Sequence, residues 1–195
     1  MIYIVYFTIL IIILFLLLIN LLLLIYDWMQ TAGNYTQKLK KARDWSILYL
    51  NDYSKIPNFN NRFPAVMFDI DDTLVNKRGD PLIDIIKIYH FAKGMGYKII
   101  VITARSNDYK THTARELDSI GVEPDFLFLR KHDDDYDTFK EKYKKHVRDY
   151  FGIDIVLSLG DQWVDVNGKV SGLGIKLPSV QDDNMYIIKR KITSS

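Results

Sequence analysis

Three carboxylates and a hydroxyl fall within five positions, Asp69-Ile70-Asp71-Asp72-Thr73, directly behind the apolar run Ala65-Val66-Met67-Phe68. The run reads as a short buried strand opened by Pro64. Unpaired carboxylates are too costly to sit in the middle of such a strand. They are expected where it ends, at the carboxyl edge of an open sheet, where ligands of α/β proteins bind. Residues two apart on an extended chain face the same way, so Asp69 and Asp71 can address one substrate while Ile70 packs away from it. The plainer alternative is a turn or a helix cap, since Asp and Thr are favoured in both.

Two further strand ends carry reactive groups. Lys98-Ile-Ile-Val-Ile102 runs into Thr103-Ala104-Arg105, where a hydroxyl could bond a phosphate oxygen beside the amides of the next helix or merely cap that helix. A later apolar run ends in Gly160-Asp161-Gln162-Trp163-Val164-Asp165. Two acids four apart could be turn and cap residues, but at the same edge as Asp69 they would complete an oxygen-rich Mg²⁺ site. Between these motifs, Thr138-Phe139-Lys140-Glu141-Lys142 opens a helix rich in cations. Such a face is usually solvated; one lysine turned inward would balance carboxylates and phosphate.

These groups are carried by alternating elements. Strands are expected at 65–70, 98–102, 126–129, 155–159 and 174–177, with helices at 82–93, 109–120 and about 139–150. Apolar strands alternating with helices imply a parallel sheet covered on both faces. Ahead of them, residues 2–25 are apolar except for Thr8 and Asn20. As a helix they would reach about 36 Å, enough to cross a bilayer. A cleaved signal fits less well, because the run is long and no basic residue precedes it. Tyr26 and Trp28 would lie in the interfacial belt, and Lys38, Lys40, Lys41 and Arg43 favour a cytoplasmic globular part. The sequon Asn34-Tyr35-Thr36 argues for the other side, but one such triplet is expected by chance and it lies close to the membrane. Leu39, Ala42, Trp45, Leu48 and Tyr49 fall at near-helical spacing, as for a helix packed on the domain, and residues 51–61 read as a linker. The expected organisation is thus a transmembrane anchor over 1–28, a juxtamembrane helix and linker over 29–61, and one α/β domain over 62–195.

Composition removes other classes. The 195 residues carry a formal net charge of +2 and no cysteine. Nothing global argues for nucleic-acid binding, and disulfides and thiolate chemistry are absent. His90, His112, His132 and His146 have no zinc-binding spacing.

In this order the motifs resemble the haloacid dehalogenase (HAD) superfamily of phosphohydrolases. Asp69-x-Asp71-x-Thr73, Thr103, Lys140 and Asp161-x-x-x-Asp165 carry the likeness. Phe128-Leu129-Arg130 and Gly160-Asp161-Gln162-Trp163-x-Asp165 narrow it to the acid-phosphatase-like branch, which includes plant vegetative storage proteins and bacterial class C acid phosphatases. It covers roughly residues 62–180 and implies a Rossmannoid three-layer α/β/α fold with a central parallel sheet. The intervals from Asp69 to Thr103 and on to Lys140 are filled by these elements, so no large cap domain is expected, and the open site could be covered by the 75–81 turn, the 37–50 helix or a second subunit of a homo-oligomer.

The resemblance implies a Mg²⁺-dependent phosphomonoesterase. Asp69 attacks phosphorus to form an aspartyl-phosphate, and Asp71 protonates the leaving oxygen and then activates water. Asp69, the Asp71 carbonyl and Asp161 hold Mg²⁺, with Asp165 behind them, while Thr103 and Lys140 bind the phosphoryl oxygens. Lys142, Lys144 and Lys145 lie close by; spacing to Asp161 selects Lys140, and Lys144 stands where relatives often carry Arg. Bacterial class C enzymes are anchored through an N-terminal cysteine, and here the apolar span takes that place. Phosphoryl transfer to another alcohol would use the same residues. A catalytically weak binding or storage protein is the other alternative, against which the retention of both Asp69 and Asp71 counts.

Overall fold

The structure is a computed structural model describing residues 2–54, 62–179 and 181–188. One long helix, α1 (Ile2–Tyr53), opens the chain, which divides into two compact units between Gln37 and Lys38. By length and composition α1 contains a segment able to cross a membrane, and residues 11–30 expose every side chain. Signal sequences pass the same test.

The second unit begins inside α1. Leu39, Ala42, Ser46 and Leu50 are buried, at spacings of three and four that line one helical face. Trp45 and Leu48, expected on that face, are 40% and 55% exposed. The small Ser46 takes the inward position instead, its hydroxyl satisfied by the carbonyl of Ala42 at 2.8 Å. The Tyr97 hydroxyl donates to the Leu50 carbonyl at 2.7 Å and Arg43 pairs with Asp84 at 2.5 Å, so this stretch is tied to the α/β unit. Residues 55–61, most of the expected linker, lie outside the described residues.

Six strands form the sheet: β1 (Phe63–Phe68), β2 (Lys98–Ser106), β3 (Phe126–Arg130), β4 (Ile153–Gly160), β5 (Leu173–Lys176) and β6 (Tyr186–Ile188), in the order β3-β2-β1-β4-β5-β6. Pairing is parallel except between β5 and β6. The antiparallel edge strand was not anticipated, since three residues give no readable period. The helices are α2 (Ile83–Gly94), α3 (Lys110–Ser119), α4 (Phe139–Phe151) and the short α5 (Trp163–Val166).

Alternation along the strands sorts the core. Ala65 and Met67 join Ile100, Ile102, Ile153 and Ile155 against Phe139, Tyr143 and Val147 of α4. Val66, Phe68, Ile99 and Val101, also fully buried, point to the opposite face, where α2 packs beside β2. Helices on both faces give the expected three layers. Between β1 and α2 the chain makes only a compact turn, with Val75 bridged to both Asp71 and Pro81.

Candidate active site at the carboxyl edge of the sheet

The chain runs outward from β1 to β2 and β3, then returns to place β4 on the other side of β1. The crevice where strand order reverses, between β1 and β4, is where open α/β sheets bind ligands. Asp69 is the first residue beyond β1, and its amide donates to the Leu159 carbonyl at 3.0 Å. Asp161 is the first residue beyond β4. Both are 5% exposed, and the register Phe68↔Leu159 sets them side by side.

Asp165 completes the group. A capping box closes the first turn of α5, in which the Gln162 amide donates to the Asp165 carboxylate at 2.8 Å. The loop folds so tightly that a Cβ on residue 160 would lie 2.1 Å from that of Asp165, so only glycine fits there. Asp165 is therefore a cap residue and a member of the acidic cluster at once. Oxygens of Asp69, Asp161 and Asp165 all lie within 4.8 Å of one another, a buried group that could hold a metal ion.

One turn of α4 brings two lysines to this cluster. The Lys140 ammonium donates to Asp69 Oδ1 at 2.5 Å and to Asp165 Oδ1. Lys144, four residues on and on the same face, donates to the backbone carbonyls of Asp165 and Asn167 and to Ser171 Oγ. It grips the Asp161–Asp165 loop from behind, a task unforeseen from the sequence. The inward lysine expected at 140 is buried as required, at 2% exposure.

Three acids outnumber Lys140, which pairs with two of them, and Lys144 behind the loop, and this leaves an excess of negative charge. Burial pushes the Asp69 carboxyl above its usual range; Lys140 works against that and Asp165 adds to it. For Lys140 burial opposes the charge, but attraction to Asp69 and Asp165 outweighs it and the pKa rises. Asp161 is pushed up to about 6, first by burial and then by Asp165 and Asp72.

The rise at Asp161 has a testable sign. Its folded-state pKa exceeds the ordinary value of 3.8, so the folded protein binds the proton more tightly than the unfolded chain. Its contribution to stability is full at low pH and is lost as pH climbs from about 4 to about 6. In chelator, Asp161→Asn should therefore melt a few degrees above wild type at pH 7 and level with it near pH 4. Equal melting at both pH values would contradict the buried, charge-crowded site.

Thr103 lies within β2 rather than after it, because the strand continues to Ser106 with a register shift against β3 beyond Thr103. It is fully buried one strand over from Asp69, and its Oγ1 accepts from the Arg105 amide at 3.3 Å. Helix capping at this end falls to Ser106, which accepts from the Asp108 amide.

Asp71 separates from the other acids. Its side chain, expected to face one substrate together with Asp69 while its carbonyl held the metal, is 59% exposed and paired with Arg105. Asp72 has φ of 53°, a left-handed turn residue that swings the chain out of β1. The partners of Asp71 were missed: Arg105 is 34 residues away along the chain and is held in turn by Glu116 of α3. The one hint was that Arg105 follows the Thr103 motif by two residues. A cleft of about 760 Å³ runs instead along the outer side of α4 and α5, past Lys142, Lys145, His146 and Trp163, and includes none of the clustered acids.

This edge, with acids beyond β1 and β4 and a lysine on the intervening helix, is the arrangement of a HAD-type α/β protein. The family model for HAD superfamily, subfamily IIIB (acid phosphatase), matches residues 74–189, and the chain belongs to that family. Thr103, Lys140, Asp161 and Asp165 fall inside the match; Asp69 and Asp71 lie just ahead of it. Acid phosphatase 1 of Solanum lycopersicum is 26% identical over 161 residues, covering 76% of this chain and 63% of that protein, so the chain spans under two thirds of its relative's length. The class C acid phosphatase of Bacillus anthracis superposes with a TM-score of 0.56 at 20% identity, over 72% of this chain and 68% of that one. A second structure of that enzyme, with tungstate bound, gives 0.55 at 18% identity, over 67% and 64%. At these identities the structural likeness establishes the shared fold.

Proposed function

We propose that this protein is a membrane-anchored, Mg²⁺-dependent phosphomonoesterase that works through an aspartyl-phosphate on Asp69. The observation that carries the reading is the cluster of buried Asp69, Asp161 and Asp165 beside the Lys140 ammonium, at the crevice between β1 and β4. A buried excess of carboxylate is costly unless a proton or a cation relieves it. The all-oxygen donor set suits a hard divalent cation. Asp69 and Asp161 would hold it, with Asp165, whose oxygens already accept from Lys140 and Gln162, orienting them. When bound, the ion would neutralise phosphoryl charge.

The protein groups do the rest. Asp69 is held by Lys140 and by the β1–β4 ladder at the carboxyl edge, and its oxygen attacks phosphorus while the bond to the leaving oxygen breaks. Lys140, kept protonated by its two acids, and the Thr103 hydroxyl bind the phosphoryl oxygens. Asp71, on the exposed side of the site, gives a proton to the leaving oxygen and later takes one from water. With no separate cap between β1 and α2, the site would accept small phosphomonoesters or a phosphate on a larger molecule. Residues 2–25 of α1 would anchor the domain in the bilayer.

The test is p-nitrophenyl phosphate hydrolysis by the full chain in detergent. Chelator should abolish turnover and Mg²⁺ restore it. Independently of activity, Mg²⁺ should raise the melting temperature of wild type and not that of Asp161→Asn. Turnover indifferent to chelator, with no thermal shift, would sink the metal-dependent reading.

A further inference from the structure

An exposed carboxylate is ordinarily mobile, and surface ion pairs hold it weakly. Asp71 is an exception. Arg105 Nε reaches Asp71 Oδ2 at 2.9 Å and Oδ1 at 3.2 Å, while Nη2 reaches Oδ1 at 2.7 Å. The other edge of the guanidinium is taken by Glu116, through Nη1 and through Nη2 at 3.3 Å. Arg105 and Glu116 are only 20% and 22% exposed, so the fork is itself anchored, on the end of β2 and on α3. Backbone freedom is limited as well, by the Asp71↔Val75 bridge and the left-handed Asp72. What remains for Asp71 is side-chain rotation, and a planar bidentate fork restricts that where a single cation could not.

We propose that Arg105, buttressed by Glu116, is a positioning residue that orients the Asp71 carboxyl toward the leaving-group oxygen. The inference rests on the phosphohydrolase reading above. As the Asp69 oxygen–phosphorus bond forms and the bond from phosphorus to the leaving oxygen breaks, that bond's electron pair departs with the leaving oxygen. The proton that Asp71 carries for this step sits on Oδ2, while Oδ1 keeps its contacts to Nε and Nη2, and it passes to the same leaving oxygen. Asp71 is left as a carboxylate, and Arg105 balances the charge created there. The same segment carries the Thr103 hydroxyl two residues earlier, so phosphoryl binding and acid placement share one strand end.

The experiment compares p-nitrophenyl phosphate, whose leaving group departs with little help, with glycerol 2-phosphate, whose alkoxide needs a proton. The full chain in detergent is assayed as wild type, Arg105→Ala, Arg105→Lys, Glu116→Gln and Asp71→Asn, and as the double variant of Arg105→Ala with Asp71→Asn. Arg105→Ala should lower kcat for glycerol 2-phosphate at least about 10-fold more than for p-nitrophenyl phosphate, with KM little changed, a fraction of what a general acid supplies. Arg105→Lys and Glu116→Gln should show smaller losses with the same substrate bias. On the Asp71→Asn background, Arg105→Ala should add less than about twofold for p-nitrophenyl phosphate, because a residue acting through Asp71 has nothing left to act on. An equal loss with both substrates, a full additive loss in the double variant, or a shared rise in KM would overturn the inference and make Arg105 a structural or phosphate-binding group. If Arg105→Ala does not melt cooperatively, Glu116→Gln carries the same comparison. Wild-type protein that hydrolyses neither substrate overturns the phosphohydrolase reading and this inference with it, an outcome distinct from wild-type turnover that the Arg105 variants leave intact.

Discussion

Asp69→Asn should lower phosphomonoester turnover by at least about 10³-fold, the scale on which loss of a covalent nucleophile is felt, while leaving the fold intact. The two halves of that expectation have separate causes. Asparagine keeps the size of the side chain and an oxygen that can accept from Lys140, so the contact seen at 2.5 Å has a replacement. It also removes one negative charge from a buried group that has too many, which relieves repulsion between Asp69, Asp161 and Asp165. The melting temperature should therefore match or exceed that of wild type. An amide, however, cannot attack phosphorus to form the acyl phosphate. Rapid quenching of the wild type with substrate should place a phosphoryl group on the peptide containing Asp69, and the variant should show none. Turnover that survives in Asp69→Asn would refute the assigned nucleophile; lost turnover together with a collapsed melting temperature would make Asp69 a structural residue.

Lys140→Met has the largest expected effect on stability. Methionine nearly matches the volume of the side chain but leaves Asp69 and Asp165 facing each other without the cation. Removing one partner of a buried ion pair typically costs about 3–5 kcal/mol. For a chain of this size that is a fall in melting temperature of about 10 °C. Adding Asp165→Asn should recover part of the loss, because the second substitution removes a charge that Lys140 no longer balances. Turnover should fall as well, by about 10²-fold or more, since the same ammonium is expected to bind the phosphoryl oxygens. Thermal unfolding by circular dichroism in chelator checks the first expectation. An unchanged melting temperature would mean that the acids are already protonated or solvated and that Lys140 holds nothing together.

Much of the site could be read without coordinates. Asp69 and Asp161 each follow an apolar run that only a buried strand explains, and a carboxylate cannot continue such a strand. Their place at one sheet edge follows from parallel pairing alone. The resemblance picked Lys140 from four nearby lysines by its spacing to Asp161; in the structure both Lys140 and Lys144 turn inward. The apolar length of residues 2–25 is equally a local property, visible in composition. For Thr103 the strand end was misjudged: Thr103 and Arg105 break the apolar run, yet β2 continues through them to Ser106.

The remainder depends on how elements sit against one another. The stripe on α1 that meets the domain takes Ser46 and leaves Trp45 and Leu48 exposed, because helix rotation is set by the surface it packs on and not by residue size. Lys144 reads as another surface cation until α4 docks and its ammonium reaches the carbonyls of Asp165 and Asn167. Asp165 looked like either a cap or a ligand, and the tight turn at Gly160 makes it a cap lying among the acids. The pairing of Asp71 with Arg105 and Glu116 joins three elements whose spacing along the chain carries no signal. Amino-acid sequence alone determined that Asp69 and Asp161 follow the ends of their strands, because burial forbids charge along an apolar run. Tertiary structure alone decided which of those groups meet, because contacts between distant segments arise from sheet register and helix rotation, which no local pattern records.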